Sequence, residues 1–238
     1  MLARLALLGA AAALASAAPT HAQGKDAWAS TFPVDVRALT TSGENPFFIL
    51  TPGYRLTLEG RESGKPVRLV ITVLDETVNV GGVDTRVVEE RETSGGALVE
   101  VSRNYYAIHP RTKDVYYFGE DVETFENGKL TGHEGAWRHG SGNARFGLMM
   151  PGTPTPGQRY YQEYAPGVAM DRAEVVAIGE RVTTPAGTFD RCLRTKETTP
   201  LEKATEYKRY APGIGLIEDG SLKLVSRGSM TQPAKRFR

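Results

Sequence analysis

The chain has 238 residues, 29 of them Lys or Arg and 28 Asp or Glu, for a net charge of +1. That balance excludes the electrostatic footprint of a nucleic-acid-binding protein and argues against a strongly anionic surface as partner. A single cysteine, Cys192, excludes an internal disulfide and a thiolate metal cage, so it is expected as a buried apolar residue.

Residues 1–22 read as a signal peptide: Arg4 is a short basic start, Leu5 to Ala18 an apolar stretch, and Thr20-His21-Ala22 a small-residue cleavage site. The apolar stretch is shorter than the roughly 20 residues a membrane helix needs. No cysteine stands at the cleavage point, so no lipid anchor is expected. Without Arg4 the basic and acidic residues are equal in number. No later apolar run approaches a membrane span. A periplasmic or secreted, soluble chain is expected, with no nucleic-acid partner and with its oligomeric state open.

Residues 23–45 and 140–157 are rich in Gly, Pro, Ser and Asn and read as loops. Beyond the signal peptide, helix signals are nearly absent. Fourteen prolines and 26 glycines punctuate runs of Val, Ile, Thr, Tyr and Phe, which suit pleated, half-buried strands. Val67 to Val80 alternates around Val67, Leu69, Ile71 and Val73. Gly81-Gly82 turns the chain into Val83 to Thr93, and Ser94-Gly95-Gly96 turns it again into Ala97 to His109. Val115 to Phe125 meets Leu130 across Asn127-Gly128, a pair suited to a type I′ turn. Arg172 to Thr183, Thr188 to Thr199, Thr205 to Tyr210 and Ile214 to Val225 follow, with a late hairpin at Asp219-Gly220. The expected fold is all-β, an antiparallel meander curled into a twisted barrel or half-barrel.

Two halves are expected, because short matches recur at a nearly constant offset. Thr51-Pro52-Gly53-Tyr54-Arg55 with Glu59 returns as Thr155-Pro156-Gly157-Gln158-Arg159 with Glu163, 104 residues later. Glu76 and Val78 match Glu180 and Val182. After a one-residue slip, Arg86, Glu92 and Thr93 match Arg191, Glu197 and Thr198. Tyr106-Ala107 matches Tyr210-Ala211. The expected division is 46–150 for the first half, carrying an acidic hairpin at 115–138, then 151–228 for the second and 229–238 for a tail. The basic end, Lys235-Arg236-Phe237-Arg238, reads as a frayed terminus.

Three stretches carry a resemblance: Asn45-Pro46-Phe47-Phe48 running on to Leu50-Thr51-Pro52-Gly53; Tyr117-Phe118-Gly119-Glu120-Asp121; and Tyr210-Ala211-Pro212-Gly213-Ile214-Gly215-Leu216. They resemble the signatures of an uncharacterised family of small exported bacterial proteins, over roughly 45–218. The resemblance implies a soluble, exported, β-rich domain and no activity. The last stretch is also similar to motifs of other bacterial envelope proteins, where a strand restarts after a Pro-Gly turn.

The segment 117–138 is richest in chemistry. A two-residue turn at Asn127-Gly128 would set Phe125 opposite Leu130, Glu123 opposite Gly132 and Asp121 opposite Glu134. Asp121, Glu123 and Glu134 would then share one sheet face. Facing carboxylates repel unless a positive group lies between them. A hard cation, calcium or a lanthanide, takes six or more oxygens; Glu120, Glu163 and Asp171 are candidates to complete its shell. Arg138, expected opposite Tyr117, is the competing partner, and a one-residue bulge would scatter the set. His133 and Trp137 fall on the opposite face with Phe118 and Val122, so Phe118 and Trp137 are expected to brace the hairpin. His133-Glu134-Gly135-Ala136-Trp137 lacks the second histidine of a zinc-protease motif. A transition-metal site from His109, His133 and His139 is the weaker metal reading.

Gly140-Ser141-Gly142 is no nucleophile elbow, no phosphate-cradling loop occurs, and acidic pairs alone discriminate nothing among 28 carboxylates. The aromatic clusters, Tyr105-Tyr106, Tyr116-Tyr117-Phe118 and Tyr160-Tyr161, read as core and rim. The expectation is an exported, non-enzymatic binding protein for a hard cation. The alternatives are a carrier of an apolar or lipid ligand on a concave face of Val, Ile, Leu and Phe, and a carboxylate-dependent hydrolase.

Overall fold

The structure is a computed structural model that describes residues 27–229. The signal-peptide reading and the basic end of the tail lie outside the described residues. Seventeen strands run in chain order: β1 (Gly43–Asn45), β2 (Phe48–Leu50), β3 (Tyr54–Glu62), β4 (Lys65–Val80), β5 (Val83–Ser94), β6 (Ala97–Ile108), β7 (Val115–Glu126), β8 (Lys129–Gly132), β9 (Trp137–Arg138), β10 (Arg145–Met150), β11 (Arg159–Tyr161), β12 (Glu163–Tyr164), β13 (Arg172–Thr184), β14 (Gly187–Thr198), β15 (Thr205–Ala211), β16 (Gly215–Asp219) and β17 (Leu222–Ser229). Two expected loop segments thus contain strands: β1 lies in 23–45 and β10 in 140–157.

Apart from the small β1–β2 ladder, the strands form one 15-stranded antiparallel sheet among the described residues. Its order is β11-β13-β14-β15-β16-β17-β3-β4-β5-β6-β7-β10-β12, with β8 and β9 both paired to β7. Consecutive strands therefore neighbour each other through two arms that meet where β17 pairs with β3. The two ends of the path, β11 and β12, are consecutive in the chain with only Gln162 between them. A covalent strap rather than a further ladder joins the ends, so the pairing path itself stays open.

Alternation along the strands decides what is buried. In β4, Val67, Leu69 and Val73 turn inward while Arg68 stays out. One core cluster gathers Val87, Tyr105, Phe118, Trp137, Met150 and Tyr160. A second lies at the junction of the arms, with Leu58, Leu69, Cys192, Ile217 and Leu224. Each fully buried Leu or Ile there contributes about 1.5–3 kcal/mol by leaving water. Cys192 is buried among them, and burial pushes its thiol up, so it packs rather than reacts.

Two of the stretches singled out by resemblance, at Asn45 and at Pro212-Gly213, are joints. Asn45 is buried, and its side-chain amide donates to the carbonyls of Lys113 (2.7 Å) and Pro151 (3.0 Å). Gly213 N–H donates to Pro46 O at 2.8 Å, and Tyr54 OH donates to Ile214 O at 2.9 Å. These bonds fasten the opening of one arm to the Pro-Gly turn of the other, after which the strand restarts as β16. The two Thr-Pro-Gly turns are built alike. Gly53 N–H reaches Val73 O, and Gly157 N–H reaches Val175 O, both at 2.8 Å. Gly147 lets the strap cross close over β10, since any Cβ there would collide with the backbone carbonyl of Gln162.

Candidate functional site

Strands β5, β6 and β7 are separated from β14 and β15 by four other strands in the sheet order, yet both groups line one cavity. The sheet is therefore curled into a trough. The cavity measures about 580 Å³, within the usual range of about 300–1,000 Å³ for small-molecule sites.

Its wall follows from strand alternation. Residues i, i+2 and i+4 of a strand share a face, so Glu100, Ser102 and Asn104 of β6 all enter the cavity, with Tyr106 joining after a bulge. Glu90 enters from β5, and Tyr117 and Glu120 from β7. Gln162 and Glu163 come from the strap, Glu197 and Lys208 from β14 and β15, and Asp171, Leu201 and Glu202 from the connecting loops. Val168 and Leu201 also stand here, each about half exposed (50% and 49%), an apolar lip on an acidic mouth.

Charge in the cavity is one-sided. Among the described residues, seven carboxyl side chains line it, against one ammonium, Lys208. That ammonium is already engaged, 3.1 Å from Glu197 Oε2 and 3.6 Å from Asp219 Oδ2. Burial would lower the Lys208 pKa, but Asp219 and Glu197 outweigh it and hold the group well above its ordinary value. Burial pushes the Glu90 carboxyl up to about 7, against the pull of Lys208. Glu120 also rises to about 7, mainly through burial; the Tyr117 hydroxyl draws it down while Glu90 and Glu100 push it up. Glu163 lies well above the usual carboxylate range, from burial and from Glu120 and Asp171 beside it. A desolvated anion next to other anions is costly, so burial and the neighbouring acids favour the protonated forms of these groups. The neutral polar groups are bonded within the wall: Tyr117 OH donates to Asn104 Oδ1, and Gln162 Nε2 donates to the Glu197 carboxyl at 3.4 Å.

A second pocket of about 80 Å³ opens from the first, sharing Glu90, Tyr106, Met149 and Lys208 with it. Its remaining wall is mostly apolar, including Phe48, Ile49, Leu56, Ile71, Val73 and Ile214. The combined space does not present the continuous Val, Ile, Leu and Phe face that the apolar-carrier reading requires. Its large compartment is acidic and its apolar compartment is small.

The hairpin at 115–138 folds differently from its sequence register. The turn is type I′ as expected, with Asn127 at φ 52° and Gly128 at φ 75°, and Glu126 pairs with Lys129 and Phe125 with Leu130. A bulge then intervenes, so Gly132 faces Thr124 rather than Glu123. β8 ends there, Glu134 falls in the turn before β9, and Arg138 pairs with Gly119 rather than Tyr117. Asp121 sits opposite Arg103 of β6, and its carboxylate accepts from Arg138 Nη2 (2.7 Å) and Tyr105 OH (2.7 Å). The positive partner is thus an arginine of the same chain. Glu123, two residues on, shares the outer face with Asp121. Glu120, Glu163 and Asp171 line the trough instead. The six candidate ligands are divided among the two sheet faces and a turn. Among the described residues, no three His, Cys, Asp or Glu side chains converge as a metal site.

Phe118 and Trp137 are core residues. Trp137 packs edge-on to Tyr117, and Phe118 stacks on Phe146 with centroids 5.0 Å apart. The histidines are dispersed in local roles. His109 Nδ1 accepts from Thr112 N at 3.0 Å, His133 Nδ1 meets Val122 O at 2.6 Å, and the His139 ring packs on Phe118 and Phe146. Sequence reasoning missed Glu90, Glu100, Ser102, Asn104, Glu197 and Lys208 as one wall. The available signal was a polar face repeating at i, i+2, i+4 on β6, a strand with neighbours on both sides.

No family profile matches the chain, and no curated protein matches it. A solved chain from Parabacteroides distasonis ATCC 8503, described as a candidate lipoprotein, is similar over 78% of this chain and 100% of its own length, at 14% identity and a TM-score of 0.37. A likeness at that level bears on neither the site nor its ligand. Among the described residues no helix is long and apolar enough to cross a membrane.

Proposed function

We propose that this is an exported, non-enzymatic binding protein, a half-barrel of two related arms that holds a small organic cation in its acidic trough. The observation that carries this reading is the cavity wall, where, among the described residues, seven carboxyls face one already paired ammonium. A cationic guest supplies the missing charge and displaces the protons held by Glu90, Glu120 and Glu163. An ammonium ligand suits the geometry better than a bare metal ion. A calcium or lanthanide ion needs six or more oxygens drawn to about 2.3–2.6 Å, whereas these carboxyls are spread around about 580 Å³. The adjoining apolar pocket gives room for a few methylene groups of the same guest. Export is supported by the basic start, apolar stretch and small-residue cleavage site of residues 1–22.

Isothermal titration with putrescine, hexylamine and spermidine, beside calcium, lanthanum and zinc chlorides, tests this. The amines are expected to bind and to release protons on binding, with affinity rising from pH 6 to pH 8. Failure of all three amines to bind removes the reading. A lanthanum or calcium response that Glu163→Gln abolishes would instead favour an ion held by Glu120, Glu163 and Asp171. The hydrolase alternative draws on the two raised carboxyls, Glu120 and Glu163, in one cleft. Turnover of a glycoside or ester that Glu163→Gln removes would favour it.

A further inference from the structure

A second, positively charged groove of about 300 Å³ lies away from the trough, where β17 pairs with β3. Three arginines contribute to its lining: Arg55 of β3 and Arg68 of β4, and Arg227 of β17, at the position opposite Leu56. The hydroxyl residues Thr57 and Ser226, cross-strand partners, contribute between them. No carboxylate lines the groove among the described residues. Glu59 pairs with Arg68 at 3.2 Å, but both side chains are about half exposed (50% and 53%), where such a pair contributes little.

Two features mark this groove as incomplete. Arg55 Nε is shielded from solvent and has no hydrogen-bond partner, an expensive state for a charged donor. The position opposite Arg55 is Gly228, where an added Cβ would meet nothing within 4 Å, so space stands open beside the guanidinium. Among the described residues Arg227 has no carboxylate partner either; its guanidinium lies over the Phe189 ring at 5.6 Å. A neighbouring outer groove shows the ordinary arrangement. There Arg209 is bonded to Glu180 at 3.0 Å and to Glu218 at 2.7 Å, so charge is closed within the chain.

We propose that the groove of Arg55, Arg68 and Arg227 binds a phosphate group. The guanidinium fork matches phosphate oxygens in two-point bonds, and several guanidiniums together favour a dianion. A phosphate occupies only part of about 300 Å³, leaving room for the organic group it is esterified to. The same chemistry is offered by a soluble phosphomonoester and by an anionic lipid headgroup.

The test titrates the folded protein with inorganic phosphate and glycerol 3-phosphate, holding ionic strength constant with chloride. Vesicles of phosphatidylglycerol and of phosphatidylcholine are run in parallel. The groove is expected to bind phosphate or glycerol 3-phosphate, or phosphatidylglycerol vesicles in preference to phosphatidylcholine. Arg55→Gln should weaken that binding at least tenfold, and Arg55→Lys should restore only part of it, because an ammonium lacks the fork. Arg227→Gln, at an exposed position that should not disturb folding, is expected to weaken it several-fold. Binding to soluble phosphate identifies a free ligand, and binding to vesicles alone identifies a headgroup. Absence of both, or binding unchanged in the Arg55 and Arg227 variants, overturns the proposal.

Discussion

Strands β5, β6 and β7 present two faces made from the same residue types, and the faces differ in how charge is closed. On the outer face Glu89 sits opposite Arg103, and Arg103 sits opposite Asp121, which Arg138 then binds. Sign alternates across the three strands along this row. On the inner face Glu92 sits opposite Glu100, Asn104 sits opposite Glu120, and Glu90 lies one position from Glu92's row. Among the described residues, only Lys208, from the other arm, brings positive charge to that side of the cavity. Cross-strand pairs of opposite charge stabilise a sheet and like charges destabilise it. The outer face is therefore arranged for stability, while the inner face is arranged at the expense of stability. Imbalance of charge, rather than the number of charges, distinguishes the site.

The largest break in that comparison is removal of Lys208. Lys208→Met leaves Glu197 and Asp219 without their ammonium, and stripping one partner from a largely buried pair costs on the order of 3 kcal/mol. The loss should be greater at pH 8 than at pH 5, because protonation relieves the stranded acids. Urea unfolding at the two pH values checks this. An equal loss at both would mean that Lys208 acts by packing its stem rather than by its charge.

Next in size is the pH dependence of the native protein. Glu90 and Glu120 titrate near 7 when folded, above the ordinary value of 4.5. A raised carboxyl binds more protons folded than unfolded, so stability falls as pH rises from about 4.5 to about 7 and levels off above. Thermal midpoints should be higher at pH 5.5 than at pH 8. The double variant Glu90→Gln, Glu120→Gln should reduce the slope, raise the midpoint at pH 8 and weaken amine binding. A midpoint that climbs between pH 5.5 and 8 would show that the inner acids are ionised at little cost.

Much of the fold can be read from the sequence, since it depends on local rules. The period of two in Val67 to Val73, the glycine pairs at 81–82 and 95–96, and Asn127-Gly128 each specify a strand or a turn without reference to distant residues. The trough cannot be read that way, because its wall joins Glu90 and Glu100 to Glu197 and Lys208, roughly a hundred residues on. Which face of a strand turns inward depends on the curl of the whole sheet. The hairpin register failed for a smaller reason. One bulge after Phe125 shifts every later pair and moves alternate side chains to the opposite face. Plain alternation, independent of that bulge, separates Glu120 from Asp121: adjacent acids on one strand, one inside the trough and the other bound to an arginine outside.

The smallest expected effect concerns that outer acid. Asp121 and Arg138 are each more than a third exposed (48% and 40%), so water already screens their attraction. Pairs of this kind contribute about 0–1 kcal/mol. Asp121→Asn keeps the size of the side chain and the acceptor for Tyr105 OH, so the midpoint of unfolding should move by less than about 4 °C. Its amine titration should match that of the native protein, because the side chain faces away from the trough. The same variant decides between the two acidic regions as ion sites. If lanthanum stabilises the native protein and Asp121→Asn abolishes the shift while Glu163→Gln does not, the ion belongs to the outer hairpin, and the paired outer face is the functional one.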